Sequence, residues 1–100
     1  MSNKIVFKEA TKKYLPILDQ YIPLVARVHG GSHPEFHDIN KLYDLIRMKS
    51  KESGPEIADL KEEFTKLREI SNNYTTPGDV CESYEAVYQM LAVLDEKYHA

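Results

Sequence analysis

The chain has 100 residues, of which 42% are hydrophobic and 29% are charged, and its net charge is −3. This length and balance are typical of one globular domain with a single core, and they exclude a disordered chain. The acidic balance leaves no basic stripe unneutralised, so we expect no nucleic-acid partner. The longest apolar runs are only a few residues, which predicts no membrane-spanning helix and no membrane association.

The start of the chain and its cysteine content bear on the compartment. Charged residues interrupt the segment that would form the apolar part of a signal peptide, so we expect no such peptide. The single cysteine, Cys81, excludes an internal disulfide and fits a reducing environment. We therefore expect a cytoplasmic protein.

Four amphipathic segments follow in chain order, and the first is the least regular. It is predicted over about 8–29 and has an apolar face made of Leu15, Leu18, Ile22 and Val25. Pro16 and Pro23 each remove a backbone hydrogen bond, so we expect this helix to be bent or broken and to begin near Glu9. The pair Gly30-Gly31 is suited to end it in a left-handed conformation.

Capping patterns mark the starts of the other three helices. Ser32-His-Pro-Glu35 and Ser53-Gly-Pro-Glu56 are capping boxes, and Thr76-Pro-Gly-Asp79 is a variant with proline at the first helical position. With Asn72-Asn73 as a stop, these signals predict helices over about 34–52, 55–72 and 77–98. Their apolar residues recur in steps of three and four, as in a helix bundle: Phe36, Ile39, Leu42, Tyr43, Ile46, Ile57, Leu60, Phe64, Leu67, Val80, Tyr84, Val87, Leu91, Leu94 and Tyr98.

Short connections between successive helices favour antiparallel neighbours. The predicted fold is all-α, an up-down-up-down antiparallel four-helix bundle, and residues 1–100 form one domain. Leu91 lies in the middle of the fourth apolar stripe, so we expect it at the centre of the core.

Three histidines, His29, His33 and His37, follow one another at intervals of four residues. On one helix they would share a face, but Gly30-Gly31 and Pro34 interrupt any such helix. One interpretation is that they close and cap helices at this turn, where a helix C-terminus favours an imidazolium. The alternative is a weak site for Zn²⁺ or another metal.

Cys81 is expected in the first turn of the fourth helix, where the helix dipole would lower the pKa of a thiol. It is also one position from Val80 on the apolar stripe, and the pattern favours a small side chain that faces the core. The sequence contains no Ser/His/Asp arrangement, glycine-rich phosphate loop or CxxC motif. We therefore expect no enzymatic activity and assign no catalytic or cofactor-binding residue.

Two segments of the chain resemble one known family. They are Val25-Ala-Arg-Val-His-Gly-Gly-Ser-His-Pro-Glu-Phe36 and Tyr74-Thr-Thr-Pro-Gly-Asp-Val-Cys-Glu-Ser-Tyr84. Both are similar to the iron–sulfur cluster repair proteins, also called repair-of-iron-centres proteins, and the similarity extends over nearly all of the chain. The resemblance implies a hemerythrin-like four-helix bundle, which in that family holds a di-iron site.

The resemblance also indicates where the iron ligands of the family would fall. The matched segments are Leu15-Pro16, Val28-His29-Gly30 and Thr75-Thr76-Pro77. They put the ligand histidines at Lys8, at about Ser53, at Ile57 and just beyond Ala100. None of the three residues supplies an imidazole, so the resemblance implies a shortened bundle that has lost its iron-binding end.

Three hypotheses about function follow. The first is a degenerate, metal-free relative of the repair family that binds a protein partner or forms a homo-oligomer, through the end near Lys8, Ile57 and Tyr98. The alternative is a di-iron protein that repairs iron–sulfur clusters after nitric oxide or oxidative stress. It requires a longer chain, or ligands pooled between two chains, which would be Glu9, Glu56, Glu96 and His99. The third is a Zn²⁺ or haem binder that uses the three histidines.

Overall fold

The structure, a computed structural model, describes residues 3–54 and 56–99. Four helices follow along the chain: α1 (Asn3–His29), α2 (Glu35–Glu52), α3 (Lys61–Ser71) and α4 (Glu82–His99). These ranges contain no β-strand, so the predicted all-helical class is confirmed. None of the helices found there is long and apolar enough to cross a membrane.

The first helix is longer than predicted and it is unbroken. It begins at Asn3 and continues through both Pro16 and Pro23, so the expected break and the expected start near Glu9 are wrong. Both prolines lie on the exposed side of α1, where water can bond the carbonyl that each leaves without a helical partner. Its 27 residues span about 40 Å at 1.5 Å per residue, which matches the 40 Å length of the molecule.

The last two helices begin later than their capping patterns predicted. The expected start of the third helix, at 55, lies outside the described residues, and α3 begins at Lys61. The backbone N–H of Leu60 donates to the hydroxyl of Tyr98 at 2.9 Å, so a tertiary contact fixes this residue just before the helix. The fourth helix begins at Glu82 instead of 77.

The second helix begins at Glu35, and its N-cap residue, Pro34, makes no side-chain capping bond.

Two predicted helix stops are found, for different reasons. Asn72 is the C-cap of α3 in a left-handed conformation, with φ 53° and ψ 57°, as the sequence indicated. Gly30 follows α1, but it is not among the residues with positive φ. A Cβ atom at Gly30 would collide with the carbonyl oxygen of Ala26 and the ring of His37, so close packing requires glycine there.

The core is formed by the predicted apolar stripes. α1 packs against α4 and α2, and α2 packs against α3. Leu91 is 1% exposed, which confirms its central position. Ile57, Val80 and Tyr98 are the members of the predicted stripes that are only partly buried, and they pack against the edge of this core.

Candidate functional site

The three residues that the resemblance equates with iron-binding histidines line one cleft at an end of the molecule. Nζ of Lys8 donates a hydrogen bond to the carbonyl of Gly54 at 2.6 Å. The hydroxyl of Ser53 donates to the carbonyl of Ser50 at 3.0 Å, and Ile57 packs against the core. Iron in such bundles needs imidazole and carboxylate ligands, and these three side chains offer none.

Aromatic rings fill the interior at this end. The ring of Tyr98 lies 5.3 Å from the ring of Phe7 and 5.3 Å from that of Phe64, measured between centroids. The two phenylalanines contact each other edge to face at 6.4 Å, and both are buried. Aromatic rings therefore fill the bundle interior at this end. A di-iron site would instead require carboxylates that face inward there.

A buried carboxylate does lie nearby, but its oxygens are already bonded. Asp95, on α4, accepts hydrogen bonds from Nε and Nη2 of Arg68, at 2.8 Å and 2.6 Å, and one from the hydroxyl of Tyr74 at 2.7 Å. Burial raises the pKa of Asp95, but the hydrogen bonds from Arg68 and Tyr74 lower it more, so the net shift is downward. Burial and the neighbouring Asp95 raise the pKa of Tyr74 far above its usual value. The carboxylate is therefore held ionised by a guanidinium.

A second buried carboxylate has an incomplete set of partners. Oε2 of Glu63, on α3, accepts a 2.6 Å hydrogen bond from Nζ of Lys49, on α2. Its other oxygen, Oε1, is buried and has no hydrogen-bond partner among the described residues. Sequence reasoning missed Glu63 and Asp95, because each is a charged residue beside an apolar stripe and no local pattern shows that it is buried.

The candidates for pooled ligands do not converge in this chain. Glu9, Glu56, Glu96 and His99 are all exposed. The ring of His99 lies within 2.8 Å of Asp95 and also beside Arg68. No group of three or more histidine, cysteine or acidic residues that could hold a metal is found within 3–54 and 56–99. Within the part of the chain that the structure describes, the side chains therefore do not assemble the ligand set of a di-iron centre.

Two of the three histidines meet on one aromatic ring at the opposite end of the molecule. The rings of His29 and His33 both contact Tyr84 edge to face, each at 5.6 Å. His33 also lies 3.1 Å from Glu35 and 3.2 Å from Asp79. The third, His37, is exposed and lies against Gly30. Among the residues that the structure describes, the three imidazoles therefore do not meet at one metal site.

Cys81 lies in the turn immediately before α4, and it is exposed. The expected core-facing position is wrong, because α4 begins one residue later and its apolar stripe does not extend to Cys81. Sγ lies 3.1 Å from Nε2 of His29. Hydrogen bonds from the backbone N–H of Tyr84 and from His29 lower the pKa of the thiol to about 7.

A small apolar hollow adjoins this pair. It has a volume of about 90 Å³, and it is lined by Cys81, His29, Leu24, Val25, Val28 and Ser83. The arrangement gives an exposed, partly ionised thiol beside hydrocarbon, which favours reaction with electrophiles at neutral pH.

Comparison with known proteins shows a distant similarity. The chain is 23% identical over 124 residues to the iron–sulfur cluster repair protein ScdA from two strains of Staphylococcus epidermidis, which covers 93% of this chain and 55% of each relative. The chain thus spans about half the length of the curated relatives it matches. No protein-family model matches it, and no solved structure gives a significant match. The chain is therefore distantly similar to an iron–sulfur cluster repair protein.

Proposed function

We propose that this chain is a metal-free, hemerythrin-like bundle related to iron–sulfur cluster repair proteins, and that it acts by binding another protein chain. The observation that carries the proposal is the filled bundle end, where Phe7, Phe64 and Tyr98 contact one another. Lys8, at a position that the resemblance assigns to a ligand, adds a positive charge there, which disfavours a pair of dications.

Contacts at the two ends of the molecule support an antiparallel, up-down-up-down arrangement. At one end, Phe7 near the start of α1 contacts Tyr98 near the end of α4. At the other, His29 at the end of α1 lies beside Cys81 just before α4. Lys49, late in α2, pairs with Glu63, early in α3. Each contact joins the start of one helix to the end of another, as an up-and-down bundle requires.

The length of the match supports an internal loss of residues. Since 93% of a 100-residue chain is 93 residues, a match over 124 residues leaves about 31 residues of the relative without a counterpart here. In our proposal these missing residues include the turns that would extend the helices beyond the aromatic cluster and carry iron ligands.

An exposed apolar stripe on α1 supports the binding role. Ile17, Leu24 and Val28 are 39%, 41% and 63% exposed, and the half-buried Tyr21 lies between them. Their steps of four, three and four residues are those of a helix seam that packs against another helix. A two-fold axis brings the same patch of two copies into contact, so the partner that we propose for this stripe is a second copy of the chain. The stripe replaces the bundle end as the proposed contact surface, since the ring of Tyr98 faces Phe7 and Phe64.

Metal analysis tests the metal-free part of the proposal. We expect the protein, after anaerobic reconstitution with Fe²⁺ and removal of the excess, to hold far less than one iron per chain and little zinc. Its near-ultraviolet spectrum should lack oxo-bridge absorption, and a chelator should leave its melting temperature unchanged. Two irons per chain would reject the proposal and favour the repair of damaged iron–sulfur clusters.

Sedimentation equilibrium tests the binding part. We expect the wild-type chain to form dimers, and the double variant Leu24→Lys/Val28→Lys to be monomeric with an unchanged helical circular dichroism spectrum. The matched control is Leu45→Lys/Met48→Lys, which charges two exposed apolar residues on α2 and should leave the dimer intact. A wild-type monomer at high concentration would reject self-association through this stripe.

A further inference from the structure

A cleft of about 310 Å³ lies between α1, the end of α2 and the residues that follow α2. None of its described lining residues is acidic, and four of them are cationic: Lys8, Lys12, Arg47 and Lys51. The chain as a whole has a net charge of −3. The cleft is therefore locally positive although the protein as a whole is negative, and this local charge favours binding of an anion.

Most of this charge is not neutralised by an ion pair with another described residue. Nη2 of Arg47 pairs with Asp19 at 3.0 Å, which neutralises one of the four positive charges. The other three charges belong to the lysines. Lys8 donates to a backbone carbonyl, which orients the ammonium group but carries no negative charge. Lys12 and Lys51 are exposed and form no ion pair with another described residue.

A buried hydroxyl in the same cleft also lacks a partner. Ser50 is among the residues that line the cleft, and its Oγ is buried and has no hydrogen bond to any described residue. A buried polar atom without a partner costs free energy. Rotation of the Ser50 side chain toward the cleft would let the hydroxyl donate this missing hydrogen bond to a bound oxyanion.

The rest of the cleft wall is apolar. Phe7, Leu15, Pro16, Ile57 and Ala58 line it. A concave site of this volume, with apolar walls and a few polar groups, is typical of a small-molecule pocket. The head of such a ligand would meet the charged rim and its body would meet the hydrocarbon wall.

We propose that this cleft binds a small organic anion, with its phosphate or carboxylate group at Lys12, Lys51 and Ser50 and its apolar body against Phe7 and Leu15. The binding requires no metal and does not involve the α1 stripe. It therefore stands independently of the proposed function.

NMR titration of the ¹⁵N-labelled full chain at low salt tests the proposal. The probes are phenyl phosphate, benzoate, inorganic phosphate and benzyl alcohol. We expect the two aromatic anions to bind saturably and to shift amide signals around the cleft. The one that binds more tightly shows whether the cleft prefers a phosphate or a carboxylate group. Inorganic phosphate should bind more weakly because it lacks a body, and benzyl alcohol should not bind because it lacks charge.

Two variants make the test specific. Lys12→Gln/Lys51→Gln should weaken binding of the aromatic anion by about fivefold or more. The control, Lys41→Gln/Lys61→Gln, removes the same charge from exposed lysines outside the cleft and should have less than about a twofold effect. Ser50→Ala should weaken binding while leaving stability unchanged or higher, because it removes a hydroxyl that has no partner.

Three results would overturn the proposal. The first is the absence of saturable binding by both aromatic anions. The second is equal weakening in the cleft and control variants, which would show that net charge alone attracts the anion. The third is binding of benzyl alcohol as tight as that of phenyl phosphate, which would show that the cationic side chains do not contribute.

Discussion

The Sγ atom of Cys81 lies 3.1 Å from Nε2 of His29, although 52 positions separate the two residues in the chain. The helix packing that joins the end of α1 to the start of α4 creates this pair. Because the backbone N–H of Tyr84 and the imidazole lower the pKa of the thiol to about 7, a substantial part of it is thiolate at neutral pH. The thiolate is the nucleophilic form.

The rate of alkylation of Cys81 by iodoacetamide should therefore rise with pH about a midpoint near 7, well below the value of about 8.5 for free cysteine. His29→Gln removes one of the hydrogen bonds that lower this pKa, so its midpoint should move upward. The measurement is the initial rate of mass gain at a series of pH values. Since the folded-state pKa is depressed, ionisation of Cys81 also stabilises the fold. This contribution is complete above the unfolded value of about 8.5 and is lost as the pH falls through the folded value of about 7.

The control for this prediction is His37→Gln. His37 is an exposed histidine at the same end of the molecule that lies against Gly30, so its replacement should leave the midpoint unchanged. A midpoint that stays near 7 in His29→Gln would show that the backbone amides alone set the reactivity of the thiol.

Asp95→Asn should lower the free energy of unfolding by about 1–3 kcal/mol at pH 7, because it weakens hydrogen bonds from a guanidinium and a phenol to a buried carboxylate. Urea unfolding followed by circular dichroism measures this change. The control is Glu96→Gln at the adjacent exposed position, which should change stability by less than about 0.5 kcal/mol. If Asp95→Asn lowered the free energy of unfolding as little as Glu96→Gln does, the interaction between Arg68 and Asp95 would contribute little to stability.

The same carboxylate predicts a dependence on acid pH. The pKa of Asp95 in the folded chain is lower than usual, so its stabilising contribution is complete above the unfolded value of about 3.9 and is lost as the pH falls below it. The stability difference between wild type and Asp95→Asn should therefore shrink below about pH 4. A difference that stays constant down to about pH 2 would contradict this linkage.

The helices and the core were predictable because they depend on local periodicity. Ile39, Phe64 and Leu91 each lie on the apolar face of a different helix, α2, α3 and α4, and all three are buried. The start of α3 was not predictable, because Leu60 bonds to Tyr98, which is 38 positions away. A capping box shows what the local chain favours, whereas a tertiary contact decided where this helix begins.

The candidate sites were less predictable, because each joins distant parts of the chain. Arg68 and Asp95 are 27 positions apart, and neither lies in a recognisable motif. The sequence predicts that Cys81 faces the core because it follows Val80, but the helical period does not apply to a residue that precedes the helix. The basic cleft likewise combines lysines from two helices, and their sequence positions alone indicate only solvated faces.

Leu91→Ala should cost about 2–5 kcal/mol of stability, because it removes buried methyl groups and leaves a cavity in the middle of α4. Leu91 is 1% exposed, so little of the lost contact can be replaced by solvent. The matched control is Leu45→Ala on α2, where the side chain is 40% exposed and the cost should be below about 1 kcal/mol. Equal effects of the two substitutions would show that Leu91 is not central to the core.

Pro23→Ala should stabilise the protein. Pro23 lies inside the continuous α1 helix, is exposed, and leaves the carbonyl of Asp19 without a helical partner. Proline is about 3 kcal/mol less favourable than alanine in a helix interior, and its restriction of the unfolded chain returns only about 0.4–1 kcal/mol. We expect a net gain of about 2–2.6 kcal/mol, measured by urea unfolding. Gln20→Ala, an exposed position on the same helix that keeps its N–H, should change stability by less than about 0.5 kcal/mol. A loss of stability in Pro23→Ala would show that the proline sets a curvature which α1 needs in order to pack against both α2 and α4.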